Sequence, residues 1–443
     1  MDVGSDRQAA LEGYLASHRA VRVALWLALF GALMFFRLPT RYLQPFFFAE
    51  EGPLYFHHAY HHSLLDALRT TKLGYFAGWT NLACTLAAHA VPLEYAPAVT
   101  TAMGTLLWAG LLALVALPSG PLASHTARLA AVAVLILIPV HDGKTHASFA
   151  QYYLCFATAI VLVSGAGAAW ERWFRRLMLL VAGTSGMQPL FLAPLFVWKW
   201  LRRGREREVL VQIGILAACG ALQAGVLLWT MQNAPEEVST KRWTMFEPGV
   251  FGGTITTRSL VAPFAGEAAM KAAGAWFFAA LTAVPRAAAY WAALAAALAG
   301  WALALALIVG PARLRAPATR GLALAYLTVT LLSFVGAITN QDGTKSLILL
   351  DHARYFAAPN LMLGTALLVH ATSPVASRWR ALYRVLVAWV LVVGAYVYVA
   401  QPDPNLVAGP VWRAEIAAWR QDPRRPVHTW PPPWRMRLLP RPP

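Results

Sequence analysis

Two adjacent carboxylates, Glu50 and Glu51, are the strongest chemical signal in the sequence, because they follow the apolar run 46–49 directly. Carboxylates beside apolar segments at a membrane surface are costly unless they are hydrated, paired or used in chemistry. If the segment is helical, the two side chains point about 100° apart, which favours two separate roles over one shared proton. The alternative is a solvated helix start, since Gly52-Pro53 follow.

A cluster of four histidines, 57, 58, 61 and 62, comes next. Its two i,i+4 pairs have a spacing that can hold a metal. Together with His141 and His146 they superficially match the histidine boxes of membrane fatty-acid desaturases, but a third box is missing. We therefore expect no metal site, although a divalent metal is compatible with the pattern. The main interpretation is an interfacial helix, and the second is that His57 and His58 contact substrate.

A short polar loop, 141–148, separates two apolar segments. Asp142 is a second candidate acid in this loop, and Lys144 is a candidate substrate contact. The alternative is a simple turn, because Asp-Gly is a frequent turn dipeptide.

Cationic residues near the ends of two apolar segments form the third group of candidates. Arg354 stands at the start of a segment that begins Tyr355-Phe356, and Lys345 precedes it. An arginine at that depth either extends toward the interface or holds an anion. Arg258 offers a second guanidinium, and lipid headgroups alone could explain either arginine. Tyr355 is a further candidate substrate contact.

The composition of the chain indicates the class of protein whose structural elements must position these residues. Of 443 residues, 58% are hydrophobic and 13% are charged, and the mean hydropathy is +0.51. Soluble domains contain about 25% charged residues, so an ordinary soluble enzyme is excluded. The net charge of +17 would suggest nucleic acid in a soluble chain. In a membrane protein it reflects basic cytoplasmic loops, so we predict no nucleic-acid partner.

The hydropathy pattern predicts an all-α, polytopic transmembrane helical bundle of about eleven segments. Segments 177–186 and 188–198 are too short to cross as straight helices and are flanked by basic clusters, which predicts a half-membrane hairpin. One domain, 1–400, would be followed by a Pro/Trp-rich tail, 401–443, packed on the outer face. The predicted segments are 21–36, 95–117, 128–140, 149–169, 177–186, 188–198, 209–231, 287–309, 321–338, 355–371 and 385–400.

The distribution of charge predicts the orientation. Short loops rich in arginine place the N-terminus in the cytoplasm and the C-terminus on the outer side. Most of the 20 carboxylates then lie outside, where general acid–base chemistry could use them. The first outer segment, 37–94, contains two predicted surface helices, Pro53–Leu68 and Ala77–Ala90.

Taken together, these features resemble the class C (GT-C) integral-membrane glycosyltransferase superfamily, and most of all an uncharacterised bacterial branch of it. An Asp is commoner in that superfamily where this chain has Glu51, so Glu50 and Glu51 are both candidates for the base. The pieces that carry the resemblance run over nearly the whole chain: Ala49-Glu50-Glu51-Gly52-Pro53, Gly74-Tyr75-Phe76, Pro92-Leu93-Glu94-Tyr95-Ala96-Pro97, Ser185-Gly186, Ala193-Pro194-Leu195-Phe196, Arg354-Tyr355-Phe356 with Pro359, and Trp430-Pro431-Pro432-Pro433-Trp434.

The resemblance implies an inverting transfer of a sugar from a polyprenyl-phosphate donor to a glycan or lipid acceptor. The reaction would take place at the periplasmic face of a bacterial inner membrane, among membrane lipids and without a cofactor. Glu50 or Glu51 would be the catalytic base, and Arg354, helped by Lys345 or Arg258, would hold the donor phosphate.

Two rival functions are kept. A transporter or flippase of lipid-linked sugars would be expected to show internal repeats and charges at mid-membrane depth, and neither is found in the sequence. A histidine-box metalloenzyme of the membrane is the weaker rival.

Overall fold

The structure is a computed structural model of the chain. It describes residues 11–72, 74–139, 143–202, 204–235, 247–283, 288–314, 316–336, 347, 354–375, 377–400 and 409–440. About 80% of the model is helical, which confirms the all-α helical bundle.

A helical segment at 11–17 precedes the first long helix. In chain order the α-helices that follow are α1 Arg19–Arg37, α2 Pro39–Leu43, α3 His57–His61, α4 Leu64–Arg69, α5 Gly78–His89, α6 Ala96–Val115, α7 His125–Leu137, α8 Ala150–Val163, α9 Ala169–Thr184, α10 Ala193–Arg202, α11 Arg207–Asn233, α12 Pro248–Ile255, α13 Ala262–Thr282, α14 Ala288–Val309, α15 Pro317–Gly336, α16 Ala357–Ala371, α17 Arg378–Ala400 and α18 Trp412–Gln421.

Two antiparallel strand pairs lie outside the bundle. Strand β1, Thr71–Lys72, pairs with β2, Tyr75–Phe76, and β3, Val427–His428, pairs with β4, Arg435–Met436.

Within the described ranges, five helices are long and apolar enough to cross a membrane, namely α1, Leu93–Val115 around α6, α11, α14 and α17. A sixth candidate is the pair Ala169–Thr184 and Gln188–Arg202, which meet at a bend of 119°. The break falls between the two short segments predicted from the sequence. Multi-pass membrane association therefore follows from the length and apolarity of these helices.

Two short helices form the centre of the bundle. Every residue of α8 from Tyr152 to Val163 is buried, and so is every residue of α16 except Val369. The long helices instead expose large apolar side chains, among them Leu303 in α14 and Val392 in α17. Helices that expose apolar surface suit a lipid environment, whereas helices buried on all sides need protein around them. These two short helices therefore form the interior of the bundle, with the longer helices around them.

The first outer segment folds against the C-terminal tail. The predicted surface helix 53–68 is a π-helical turn, Gly52–Phe56, that continues as α3 and is followed by α4, whose N-cap Ser63 accepts from the N–H of Asp66. The second is α5. Both pack with the tail in a separate apolar cluster that includes Phe47, Phe56, Trp412, Ile416 and Trp419. The tail thus supplies part of the core under the acidic motif.

Candidate functional site

The segment that carries the two carboxylates is held between the bundle and the tail. Phe48 forms a parallel bridge with Trp430, and the N–H of Trp430 donates to the carbonyl of Phe47 at 3.1 Å. Ala49 then adopts a left-handed conformation with φ of 46°. A non-glycine residue there costs about 1–2 kcal/mol and is concentrated at functional sites. The reversal starts the 3-10 turn Ala49–Glu51.

Glu51 points into the protein and is fully buried. Its Oε1 accepts from the N–H of Ala147 at 3.1 Å, and its Oε2 lies 3.8 Å from Nδ1 of His146. Burial raises the pKa of Glu51 to about 7, although Arg41 and backbone hydrogen bonds act in the opposite direction. This carboxyl is therefore sealed from solvent and keeps its proton to a higher pH than an exposed glutamate does.

Arg41 and His146 complete the buried network around Glu51. Both are at most 1% exposed, and Nη2 of Arg41 donates to Nδ1 of His146 at 2.9 Å. Burial lowers the pKa of Arg41 to about 10 and that of His146 well below its usual value. Because Arg41 donates to Nδ1, the proton of the neutral imidazole belongs on Nε2. The only full positive charge in this network is Arg41.

Glu50 points the other way and is partly exposed. Its charge acts on Tyr55, Tyr75 and Arg354. Burial raises the pKa of both tyrosines, and the nearby Glu50 raises both further. Nε2 of Gln151 donates to the hydroxyl of Tyr75 at 3.3 Å. The structure thus brings Glu50 and Arg354, predicted from distant parts of the sequence, within electrostatic range of each other.

Arg354 is surrounded by aromatic rings. Its guanidinium carbon lies 5.9 Å from the ring centres of Phe149 and Tyr152 and 5.5 Å from that of Tyr355. Tyr152, Tyr355 and Glu50 raise the pKa of Arg354, and burial opposes them. Nε of Arg354 is buried and has no hydrogen-bond partner within the described ranges. The rings hold a cation in place while leaving donors for an anionic ligand.

Two helices begin at this cluster. The rings of Tyr152, in the first turn of α8, and Tyr355, just before α16, are in T-shaped contact at 5.2 Å. Neither helix has a side-chain cap at its N-terminus. Helix N-termini carry partial positive charge and uncapped N–H groups, which favour anions. The cluster is therefore electropositive on the side of Arg354 and acidic on the side of Glu50.

Helix α11 and the break between α9 and α10 position strand β2, which carries Tyr75, and the side chain of Gln151. Gln223, fully buried in α11, accepts from the N–H of Phe76 and donates to its carbonyl, both at 2.9 Å. Gly186, at the break between α9 and α10, has φ of 146°, and a Cβ there would lie 2.4 Å from Oε1 of Gln151. Because Gly186 has no side chain, Gln151 fits beside the break and reaches Tyr75.

The other predicted cations are buried. Arg258 is 2% exposed on the π-helical turn Thr256–Val261, and its Nη1 lies 3.2 Å from Sδ of Met270. Lys144 is 7% exposed, with its ammonium 5.9 Å from the ring centre of Trp108. Phosphate binding by Arg258 and substrate contact by Lys144 stay predictions.

The histidine cluster contacts the tail and itself. Nε2 of His57 is 2.9 Å from the carbonyl oxygen of Arg437, and His58 stacks on His62 with ring centres 3.9 Å apart. Burial, followed by His62 and Lys72, lowers the pKa of His58 to about 4. In the described part of the chain, no group of three or more His, Cys, Asp or Glu side chains could hold a metal ion.

Three of the residues discussed from the sequence lie outside the described residues: His141, Asp142 and Lys345.

Sequence reasoning missed most of the neighbours of Glu50 and Glu51. Tyr152 lies within the predicted segment 149–169 and Arg41 within the segment 37–94, but neither was singled out, and Tyr75 entered only through the resemblance. The π-helical turns beside Glu51 and around Arg258 were also missed. Such turns are rare and are frequent at functional sites, but no simple sequence pattern marks them.

Comparison of the chain with known protein families, curated proteins and solved structures found no match.

Proposed function

We propose that this protein is a membrane glycosyltransferase that moves a sugar from a polyprenyl-phosphate donor to a glycan or lipid acceptor. The observation that carries the proposal is that Glu50, which is partly exposed, lies within electrostatic range of Arg354. A carboxylate and a fixed cation on either side of a reacting centre suit transfer from a phosphate leaving group.

In the proposed reaction Glu50 accepts the proton of the acceptor hydroxyl as that oxygen attacks the anomeric carbon. A bond forms between the acceptor oxygen and the anomeric carbon while the bond from that carbon to the phosphate oxygen breaks. The electron pair of the broken bond leaves on the polyprenyl phosphate. This single displacement inverts the configuration at the anomeric carbon.

Arg354 would stabilise the leaving phosphate. Its charge is supported by the N-termini of α8 and α16, which meet at the same place. Donors held rigidly before the reaction stabilise developing charge without reorganisation, and this is usually the largest catalytic contribution. Tyr75, Tyr152 and Tyr355 would surround the sugar and exclude water.

Glu50 is preferred to Glu51 as the base because a base must reach the acceptor. Glu51 is fully buried and accepts from the backbone N–H of Ala147, whereas Glu50 is partly exposed. In this proposal Glu51 positions the acidic segment instead of accepting the proton.

The proposed fold is a GT-C-like bundle of eleven membrane segments. The five or six long candidates would be completed by the shorter apolar helices, and the bent pair α9–α10 would form the half-membrane hairpin. The site would face the periplasm of a bacterial inner membrane, where lipid-anchored donor and acceptor diffuse laterally to it.

Transfer from a panel of polyprenyl-phosphate sugars carrying radiolabelled sugar tests the proposal. We expect Glu50→Gln to lower the rate by about 10²–10⁴-fold. Glu51→Gln should keep most of the activity, and so should Glu267→Gln, which removes a carboxylate paired with Lys271 elsewhere. Full activity in Glu50→Gln, or no transfer from any donor by the wild type, would contradict the proposal.

A second measurement addresses the donor phosphate. Arg354→Gln should raise KM for the donor by at least about tenfold, because a charge-assisted hydrogen bond contributes about 1.5–3 kcal/mol. An unchanged dependence on donor concentration would remove Arg354 from the site.

A further inference from the structure

A second polar region lies at the opposite end of α8 from Gln151 and Tyr152. An open cavity of about 560 Å³ is bordered there by the loop Ser164–Gly167, which follows the last turn of α8. The 14 residues of α8 separate the two regions by about 20 Å at 1.5 Å per residue. The cavity is therefore distinct from the cluster of Glu50 and Arg354.

Basic side chains dominate this cavity. Its lining includes five cations and two carboxylates: Arg172, Arg175, Arg176, Lys199, Arg207, Glu206 and Glu208. Glu208 is already paired with Arg176 at 2.5 Å. The volume lies within the range of about 300–1,000 Å³ that is typical of small-ligand sites. The excess of positive charge predicts an anionic ligand.

Arg175 separates this cavity from an ordinary basic loop. It is 1% exposed, and its Nη1 donates to the carbonyl of Gly165 at 2.6 Å. Its Nε and Nη2 have no acceptor in the described part of the chain. Arginines that only fix membrane orientation stay in water, since burying a cation without a counter-charge is costly.

The nearby buried carboxylate of Glu171 attracts Arg175 but makes its hydrogen bonds elsewhere. The Oε2 atom of Glu171 accepts from the N–H and the hydroxyl of Ser119, and its Oε1 accepts from the N–H of Ala168 at 3.3 Å. No ion pair joins Glu171 and Arg175 among the salt bridges of the described residues. Glu208 and Glu171 thus act on Arg175 through their charge but make neither an ion pair nor a hydrogen bond with it among the described residues, so its Nε and Nη2 face the cavity unbonded.

Two of the cations that line the cavity, Lys199 and Arg172, also hold the loop Ser164–Gly167 in place. Nζ of Lys199, from α10, donates to the carbonyl of Ser164 at 3.1 Å. Nη1 of Arg172, from α9, donates to the carbonyl of Gly167 at 2.7 Å. A Cβ on Gly167 would lie 3.0 Å from Nη2 of Arg175, so glycine permits the loop to lie directly on the guanidinium. The cavity is preformed.

We propose that this cavity binds a phosphate monoester or diphosphate group. Arginine side chains present several N–H donors in a planar fork that matches phosphate oxygens, and the ligand would supply the acceptors that Arg175 lacks. The phosphate is either free in solution or part of a lipid headgroup, since both present the same oxygens, and the two arms of the test distinguish them. This site is independent of the proposed transferase activity.

Binding to the full-length protein in phosphatidylcholine nanodiscs tests the proposal in two arms. The first arm titrates inorganic pyrophosphate by calorimetry. The second adds phosphatidic acid to the nanodiscs and counts retained lipid by native mass spectrometry. Pyrophosphate binding assigns a free phosphate compound, and retention of phosphatidic acid alone assigns a lipid headgroup.

Arg207→Gln is the main variant, because Arg207 is exposed and its loss should not affect folding. We expect at least about a tenfold weaker affinity for whichever probe binds. Arg205→Gln is the matched control: Arg205 is also exposed, but it lies over the ring of Trp200 and does not line the cavity. The affinity of the Arg205→Gln protein for the probe should stay within about twofold of the wild type, since this variant loses only a surface charge outside the cavity.

Arg175→Gln should abolish binding where it folds, as checked by size-exclusion chromatography. The proposal is overturned if the wild type binds neither probe, or if Arg205→Gln and Arg207→Gln weaken binding equally. The second result would show attraction to general surface charge.

Discussion

Glu50 and Glu51 are neighbours in the chain but lie in opposite environments. Glu50 is partly exposed and acts on Arg354 and two tyrosines, whereas Glu51 is fully buried beside Arg41 and His146. A carboxylate that is open to solvent can exchange protons with a substrate, whereas a fully buried carboxylate mainly affects stability. Two identical residues that are neighbours in the sequence can therefore face different environments, one open to solvent and one closed to it.

The backbone around the pair explains the division. Ala49, with φ of 46°, reverses the chain just before Glu50, and the π-helical turn Gly52–Phe56 starts just after Glu51. The bridge to Trp430 fixes the segment from the side of the tail. The two side chains are thus directed apart by local geometry that the tail and the bundle impose together.

Arg41→Met is expected to give the largest change in stability. The substitution keeps an apolar chain of similar length but removes the positive charge that acts on Glu51 and the donors to the carbonyl of Phe46 and to Nδ1 of His146. Each buried acceptor left without its donor costs about 1–3 kcal/mol, so the loss of two donors amounts to several kcal/mol. The free energy of unfolding in detergent, measured by denaturant titration, should fall by that amount.

Two further variants make the Arg41 experiment specific. The double variant Arg41→Met with Glu51→Gln should recover part of the loss, since no buried charge is left. Arg69→Met, at an exposed site in the same outer segment, should change stability by less than about 0.5 kcal/mol. Equal losses in Arg41→Met and Arg69→Met would mean that the network is not a source of stability.

The pH dependence of stability is the second test. Burial raises the pKa of Glu51 from 4.5 to about 7, so between these values the native chain holds a proton that the unfolded chain has released. The stabilising contribution of Glu51 is therefore complete below about pH 4.5 and is lost as the pH rises through 7. The pKa of His146 is lowered, so its contribution changes with pH in the opposite direction.

Subtracting the glutamine variant isolates the contribution of Glu51. The stability of the wild type relative to Glu51→Gln should fall by on the order of 3 kcal/mol from about pH 4.5 to about pH 8. The same comparison for Glu50→Gln should be nearly flat. A flat difference for Glu51 would mean that this carboxylate stays ionised throughout.

The general architecture could be predicted from the sequence because it depends on apolarity. Long apolar runs predict a helical membrane bundle, and Gly183, Gly186 and Pro189 predict the break that appears as a 119° bend. The count of eleven segments depends on short helices such as α8, whose burial on all sides reflects their neighbours and not their length. Composition alone does not distinguish such helices from spans.

The site could be predicted only in part. Glu50 and Arg354 were identified because charged residues stand out beside apolar segments. The different directions of Glu50 and Glu51 depend on one positive φ at Ala49, and Glu51 contacts Ala147 and His146 from a distant part of the chain. Both features arise from tertiary contacts with the tail and with His146, and hydropathy carries no information about them.

Gly52→Ala tests whether the tail holds the acidic segment in place, and its expected effect is the smallest of the three. A Cβ at position 52 would lie 2.7 Å from Cγ2 of Thr429 and 3.0 Å from Cβ of Phe47. Overpacking of this kind costs about 1–3 kcal/mol.

Thr429→Ser removes the methyl group that would clash with a Cβ at position 52 and keeps the hydroxyl, so it is the matched second change. If the contact is direct, Thr429→Ser should recover part of the stability lost in Gly52→Ala, with a coupling of at least about 0.5 kcal/mol. Strictly additive effects would show that the segment moves independently of the tail, and the division between Glu50 and Glu51 would then rest on the bundle alone.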